Sequence, residues 1–468
     1  MKLIYQVEDK PKFGALLVFA LQQILAIMTA TIVVPVIING NSAANFAEGI
    51  GAASAMDPAA AMFGAGVGTL VYVLFTAKKS PVFLGSSFAF LGSMTAAFAG
   101  AVSAKAGNAG ILLGAIFAGL VYVVIALLVK VVGVEWINKL MPVVVIGPTV
   151  SIIGLSLAGN AVGDLTTGGV KVDGVSLADP AVAVLAGIVT LGVTMLCSTY
   201  GKKTARLIPF IFGILAGYAF CFVLTLIGDA AGIDAIKLLS LESFKSLTEN
   251  GVTLNTFVRV PDFTFLALDF SAIDGAYIGS VAAAYVPVAF VVFAEHIADH
   301  KNISSIIERD LLKEPGLHRT LLGDGVGSIA GAVFGGCPNT TYGESIGCVA
   351  ITKNASVYTI ITAAIGAILI AFVSPFIAFV NSIPPCVMGG VCMALYGFIA
   401  VSGLKMVQQV DLGQNKNLFV VSVILIAGIG GLSLTFGKVT ITSIACALIL
   451  GILANLLLKG APESDGEK

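Results

Sequence analysis

The chain has 468 residues, 57% of them hydrophobic and only 11% charged, with a net charge of −1. A soluble domain carries about 25% charged residues, so this composition excludes an ordinary soluble protein and indicates a polytopic chain surrounded by membrane lipid. The near-neutral balance also argues against nucleic acid as a partner, since that binding needs a basic surface. The 54 glycines suit close helix packing in lipid. Seven cysteines, an odd number and mostly in apolar runs (Cys197, Cys221, Cys386, Cys392, Cys446), read as small buried hydrophobes rather than disulfides or metal ligands.

Met1–Pro11 is polar with mixed charge and lacks the pattern of a cleaved leader, so the first apolar run is expected to remain as a span. A span needs about 20 apolar residues. Candidates fall at 15–38, 59–77, 81–104, 109–131, 142–160, 181–199, 207–228, 276–300, 321–336, 341–353, 355–380, 384–403, 417–436 and 439–458, giving fourteen. With the N-terminus inside, 19 of the 25 Lys and Arg fall on inner segments and only 6 on outer ones. The positive-inside rule therefore predicts that both termini are cytoplasmic. The long outer connection, 229–270, is mixed in charge and is expected to carry small structure of its own. Pro462–Lys468 is a polar tail with no evident chemistry.

The third and tenth spans are unusual. The stretch G-C-P-N-T-T-Y-G-E at 336–344 is a poor continuous helix, because Pro338, Asn339, Thr340, Thr341 and Gly343 favour turns or extended backbone. Gly85, Ser86 and Ser87, in P-V-F-L-G-S-S-F-A-F at 81–90, make a second helix-poor segment. An internal repeat relates them. M-P-V-V-V-I-G at 141–147 resembles I-P-P-C-V-M-G at 383–389, at the starts of the fifth and twelfth spans. The offset of seven spans implies two halves of inverted topology and sets the third span against the tenth.

Three ionisable residues stand inside apolar runs: Glu295, Asp299 and Glu344. A charge at a span's centre costs roughly 2.5–3.5 kcal/mol on insertion scales, so such residues are functional candidates. Glu295 and Asp299 are four residues apart and share one helix face. Their mutual repulsion marks them as a proton-responsive pair. Glu344 opens a half-helix whose positive end suits a carboxylate, which makes it chiefly a ligand-binding group. His296 and His300 are also spaced i, i+4, but the only other histidine is His318, in a charged loop, and no His-Glu-x-x-His is present. Metal binding is therefore set aside, and the two rings are expected at a helix end, where charge and dipole suit them.

At this point the motifs themselves resemble a known family. A-E-H-I-A-D-H at 294–300, D-L-L-K-E-P-G-L-H-R at 310–319 and C-P-N-T-T-Y-G-E-S-I-G-C-V-A-I-T-K at 337–353 are similar to the nucleobase–ascorbate transporters, and within them to the uracil permease branch. L-G-S-S-F-A-F at 84–90 and P-P-C-V-M-G-G at 384–390 fit as well, and the likeness covers nearly the whole chain. It implies an all-α membrane protein of fourteen spans in a 7+7 inverted repeat, with short extended segments in spans three and ten. The core domain would be 1–140 and 271–382, and the gate domain 141–228 and 383–460, joined by the loop 229–270 and followed by the tail 461–468. The same resemblance implies that Phe88 stacks on a pyrimidine, that Glu295 and Glu344 hydrogen-bond it, and that Tyr342 and Gly343 line the site. A homodimer in a bacterial plasma membrane is also implied.

Asp299 and Gln23 stand where that branch commonly has histidine, and Ser345 where the signature has asparagine. The first two remove the histidines on which a proton relay of that branch would rest, and the third bears on packing around Glu344 more than on ligand choice. The chemistry is consistent without the name. Uracil offers two N–H donors and two carbonyls on a flat edge. Carboxylates accept the N–H groups, backbone amides freed at Gly85–Ser87 and Tyr342–Gly343 can donate to the carbonyls, and Phe88 supplies an apolar face. The leading expectation is proton-coupled uracil uptake by alternating access without a cofactor, the sequence leaving sodium open as the coupling ion. A xanthine or purine permease is the alternative, and Glu344 favours uracil, since many purine carriers have glutamine there. An anion carrier of related fold is less consistent with paired carboxylates, and an enzyme would need a nucleophile–base pair or metal cluster that the sequence lacks.

Overall fold

The computed structural model describes residues 3–45, 56–133, 135–172, 175–202, 204–249, 251–266, 268–271, 273–436 and 439–459. Helix dominates, and among these residues eight helices are long and apolar enough to cross a membrane. The first part runs α1 (Phe13–Asn45), α2 (Pro58–Phe75), β1 (Leu84–Ser86), α3 (Leu91–Ala99), α4 (Ala104–Val132) and a short α5 (Glu135–Leu140). Then come α6 (Val143–Ser156), α7 (Ala158–Leu165), a hairpin of β2 (Lys171–Val172) and β3 (Val175–Ser176), α8 (Pro180–Tyr200), α9 (Thr204–Leu207), α10 (Pro209–Ala231) and α11 (Glu242–Lys245). The second part opens with α12 (Gly275–Ile307), α13 (Leu317–Gly335), β4 (Asn339–Thr341), α14 (Gly343–Thr352), α15 (Val357–Ile370) and α16 (Ser374–Ser382). It closes with α17 (Pro385–Val407), α18 (Asn415–Ile429), a hairpin of β5 (Leu434–Phe436) and β6 (Val439–Ile441), and α19 (Ser443–Leu457).

Local sequence sets the helix starts. Asp57 accepts a hydrogen bond from the Ala59 amide at 2.9 Å while Pro58 takes the first helical position, and Asp179 with Pro180 repeats the device at 2.8 Å. Asp274 caps α12 by accepting from the Tyr277 amide at 2.7 Å. Several expected spans are interrupted. The run 355–380 divides into α15 and α16, because Pro375 begins a new helix and Val373 bridges to Val258. Residues 142–160 form two helices meeting at Leu157, the second running on to Leu165. The ends of the runs 417–436 and 439–458 are taken by the β-branched hairpin β5–β6. Among the described residues, the connection 229–270 holds α11 and three 3-10 turns, while the tail 461–468 lies outside them.

Packing sorts the helices into two groups. In one, α13 lies along α2 and α4, α12 along α4 and α3, and α15 along α1 and α2. In the other, α17 packs on α6, α7 and α8, α10 on α8, and α18 on α6 and α19. Between the groups α12 touches α6 and α19, and α1 touches α10. The α2–α13 crossing is made by backbone against backbone. A Cβ on Gly327 would stand 2.7 Å from the Gly68 carbonyl oxygen and 2.8 Å from Leu84 Cδ1. All seven cysteines are free, and all but Cys197 are buried.

The helix-poor segments at 84–86 and 339–341, expected in the third and tenth spans, meet each other. β1 and β4 pair antiparallel with Leu84 opposite Thr341, Gly85 opposite Thr340 and Ser86 opposite Asn339. The Ser87 amide donates to the Pro338 carbonyl at 2.9 Å, and the Tyr342 amide to that of Phe83 at 3.1 Å. Side chains fasten the pair to its neighbours: Asn339 Nδ2 donates to the Gly64 carbonyl at 3.1 Å, and Thr69 Oγ1 accepts from the Leu84 amide at 2.9 Å. On one face of the molecule the segment before α1 is laced across the second part. The Ile4 amide donates to the Lys353 carbonyl at 2.8 Å and the Val357 amide to the Val7 carbonyl at 2.9 Å. Arg309 pairs with Glu8 there, and its guanidinium holds that carboxyl below the usual carboxylate range.

Overpacking a tight core costs about 1–3 kcal/mol. Gly327→Val is therefore expected to lower the melting temperature of the detergent-solubilised protein by several degrees. The same change at Gly192, where a Cβ meets nothing within 4 Å, should leave melting unchanged.

Candidate functional site

A cavity of about 390 Å³ lies between the two helix groups, within the range of small-molecule sites. Its walls differ in chemistry. One wall is polar and comes from the group containing α12: Glu295 and Asp299 of α12, residues 340–344 at the β4–α14 break, and Phe88 after β1. The facing wall is apolar and comes from α6, α10 and α17, including Val150, Ile153, Phe210, Leu395, Phe398 and Ile399. Glu295 and Asp299 reach the cavity together because four residues make about one helical turn.

The residues expected from sequence fall as follows. Phe88, Glu295, Asp299, Tyr342, Gly343 and Glu344 all line this cavity. Phe88 begins the 3-10 turn Phe88–Phe90, and its ring stands edge-on to Tyr396 of α17, with centroids 6.1 Å apart. Tyr342 is the residue before α14, and its hydroxyl donates to the Ser86 carbonyl at 2.7 Å. Its ring occupies the space a side chain at position 85 would need, so the β1 strand admits only glycine there. Glu344 sits in the first turn of α14. Asp299 Oδ2 accepts from Thr341 Oγ1 at 2.7 Å, which ties α12 to the broken span. Ser87 is buried beside Phe88 and is not among the lining residues.

Two of the departures from the family pattern touch each other. Gln23 Nε2 donates to the Ser345 carbonyl at 3.3 Å, and Ser345 Oγ accepts from the Phe83 amide at 3.1 Å. They brace the half-helix that carries Glu344 against α1 and the β1 strand. The third, Asp299, is the carboxylate bound by Thr341.

Three features escaped the sequence reading. Arg206, exposed, stands on the cavity lining and is a cation on the side that is otherwise apolar but for Ser402. Thr341 looked like a turn residue and is the partner of Asp299. The third concerns the histidines. They were expected at a helix end, but α12 continues to Ile307 and both rings are fully buried. His296 Nδ1 lies 2.6 Å from Asp324 Oδ2 of α13. A lone acid among glycines, L-L-G-D-G-V-G inside the expected span 321–336, was the available signal.

Helices long enough for a bilayer, two spans broken at mid-course, and a cavity between two helix groups together define a multi-pass membrane transporter. Solved structures share the fold. The transmembrane domain of the cyanobacterial bicarbonate transporter BicA aligns with a TM-score of 0.57 and 16% identity, over 96% of this chain and 100% of that one. The murine Slc26a9 anion transporter, in its inward-facing state, aligns with a TM-score of 0.61 and 10% identity, over 97% and 69%.

The chain belongs to the uracil/xanthine permease family, whose model, described as "Permease family", matches residues 14–436. It is 37% identical to the uracil permease of Bacillus caldolyticus over 467 residues, 99% of this chain and 96% of that protein. The uracil permease of Escherichia coli K12 is 32% identical over 455 residues, 97% and 93% of the two chains. The protein is thus a permease and not an enzyme.

A hydrogen bond to a charged group contributes about 1.5–3 kcal/mol. A double-mutant cycle of Thr341→Val and Asp299→Ala, read by thermal unfolding in detergent, is expected to give a coupling of about that size. Additivity within about 0.5 kcal/mol would mean that the bond does not bear on stability.

Proposed function

We propose that the protein carries uracil across a bacterial plasma membrane, coupled to protons and by alternating access. The observation that supports this most is the division of the cavity into a polar wall on one helix group and an apolar wall on the other. A ligand whose hydrogen bonds all go to one body can travel with it. Apart from Arg206 and Ser402, the facing body presents hydrocarbon and rings, along which a ligand slides with few polar contacts to break. In this reading the body of α1–α4 with α12–α15 is the moving core, and that of α6–α10 with α17–α19 the gate.

The same reading takes the chain as fourteen crossings in two inverted halves. Its support is that elements seven spans apart meet: α2 with α13, β1 with β4, and α6 with α17. Elements on a two-fold axis must touch their own copies. Both termini would be cytoplasmic, as 19 of the 25 basic residues favour. Arg206, on the short helix α9 of a segment expected to be inner, stands at the cavity, so this state would be open to the cytoplasm. The exposed apolar flanks of α8 and α10 would face lipid or, in a homodimer, a second copy.

Uracil would lie against Phe88, with its N–H groups donating to Glu295 and Glu344 and a carbonyl facing the backbone at Tyr342–Gly343. Ser87 would act through its neighbour Phe88. Glu295 and Asp299, four residues apart on one cavity wall, would be the pair that gains and loses the coupling proton. The same three carboxylates speak against an anion as substrate, since like charge would repel it.

Purified protein in liposomes with an imposed pH gradient is expected to accumulate labelled uracil, with competition by uracil stronger than by xanthine and none by sulfate. Glu295→Gln and Glu344→Gln should each reduce uptake about 10- to 100-fold, the value of a charged hydrogen bond. Intact gradient-driven accumulation in Glu295→Gln would refute the assignment of the proton-responsive pair.

A further inference from the structure

Behind the cavity wall, α12 carries a second pair of titratable side chains that the substrate reading leaves unused. His296 and His300 each follow a cavity carboxylate by one residue, so they project from a face turned about 100° away. Both are fully buried, as are Asp324 and Thr320 of α13, Tyr72 of α2 and Ser80. The two imidazoles stack with centroids 4.0 Å apart. His296 Nδ1 is 2.6 Å from Asp324 Oδ2, and its Nε2 is 3.0 Å from Thr320 Oγ1.

The direction of the chain can be read from its chemistry. His300 Nδ1 lies 2.8 Å from the His296 carbonyl oxygen, which only accepts, so Nδ1 carries the proton and Nε2 of the neutral ring is an acceptor. The Tyr72 hydroxyl, 2.6 Å from that Nε2, is then its donor. The Tyr72 oxygen in turn takes the proton of Ser80 Oγ, 2.7 Å away. Ser80 directly follows the exposed residues Ala77, Lys78 and Lys79, on the face where Lys79 pairs with Glu314. Hydroxyl, phenol and imidazole thus point one way, inward from a loop. Asp324 Oδ1 at the far end is buried with no hydrogen-bond partner.

We infer that Ser80, Tyr72 and His300 conduct protons between the loop 77–80 and a second proton site, the stacked His300–His296–Asp324 cluster behind the cavity carboxylates. This rests on the proton-coupled reading above. In one transfer Ser80 gives its hydroxyl proton to Tyr72, Tyr72 passes its own to His300 Nε2, and Ser80, buried beneath the exposed residues 77–79, regains a proton from solvent when that loop parts to admit water. His300 gains one proton and the solvent loses one. Two charges about 4 Å apart repel by about 4 kcal/mol even at an effective dielectric of 20, so the stacked rings do not both stay charged. Thr320 Oγ1 donates to the Leu317 carbonyl, so His296 Nε2 carries a proton; with His300 charged, the one proton shared by His296 Nδ1 and Asp324 Oδ2 rests on Asp324 and leaves His296 neutral. The titratable groups around the cluster are Tyr72 on α2, Tyr122 on α4, Asp324 on α13, and Glu295 and Asp299 on α12 itself, with Glu344 of α14 beyond them. Charge on His300 therefore acts on Asp299, its neighbour in the chain.

The test compares wild type, Tyr72→Phe and Ser80→Ala in liposomes, by gradient-driven uptake of labelled uracil and by equilibrium exchange of labelled for unlabelled uracil. Exchange needs no proton release. Both variants are expected to exchange at the wild-type rate while gradient-driven uptake falls about tenfold or more and its pH dependence flattens, since a positioned proton-transfer group contributes at least that factor. Unchanged uptake in both variants overturns the relay. So does a parallel fall of exchange, uptake and melting temperature, which is the signature of a brace. Ser80→Ala removes one oxygen and serves as the deciding variant if Tyr72→Phe does not fold. Wild type that exchanges uracil but accumulates none under a gradient overturns the proton-coupled reading itself, and the relay with it.

Discussion

Within hydrocarbon a backbone amide or carbonyl without a partner costs several kcal/mol, and that penalty governs the centre of this molecule. Two spans leave the helical path at mid-course, at Leu84–Ser86 and Asn339–Thr341, and each supplies the hydrogen-bond partners that the other lost. The flanking bonds at Ser87 and Tyr342, and the side chains of Thr69 and Asn339, secure the pair to α2 and its surroundings. Nothing else in the cavity would be in place without this. Phe88 stands two residues beyond one strand and Glu344 three beyond the other, so the ladder sets where ring and carboxylate meet.

The long helix α12 then acts as a partition with two chemistries. Its cavity face carries Glu295 and Asp299, the latter bound to Thr341 of the β4 strand. The adjoining face carries His296 and His300, joined to Asp324 and Tyr72 in a fully buried polar cluster. A helix can present both because one residue is about 100° and four residues about one turn. Titratable groups in a low-dielectric interior influence one another strongly over such distances. The substrate wall and the buried cluster are therefore best regarded as one electrostatic unit.

Glycine makes the first helix group dense enough to hold this unit. Gly64 and Gly68 on α2 meet Gly331 and Gly327 on α13 backbone to backbone, while Gly110 and Gly114 on α4 admit the rings of Tyr277 and Tyr285 from α12. Dispersion contacts and hydrogen bonds replace a hydrophobic drive that lipid does not supply. The second group keeps its apolar side chains toward the cavity and its outer helices α8 and α10 half bare, as a surrounding of lipid tails permits.

Much of this was legible in the residues. Composition alone marked a membrane chain, because no water-soluble surface can be built from 11% charged residues. Glycine and two serines marked one break, and proline, asparagine, two threonines and glycine the other, while the i, i+4 spacing put Glu295 beside Asp299. These are local properties, set by backbone sterics and helix geometry within a few residues. The sequence could not reveal that the breaks pair with each other, that Thr341 binds Asp299, or that Arg206 reaches the cavity. Nor could it place His296 against Asp324, and a helix end was the wrong expectation for both histidines. Partners such as residues 84 and 341 are chosen by how whole helices pack, and that choice belongs to the tertiary structure because only there do distant polar groups compete for the same bonds.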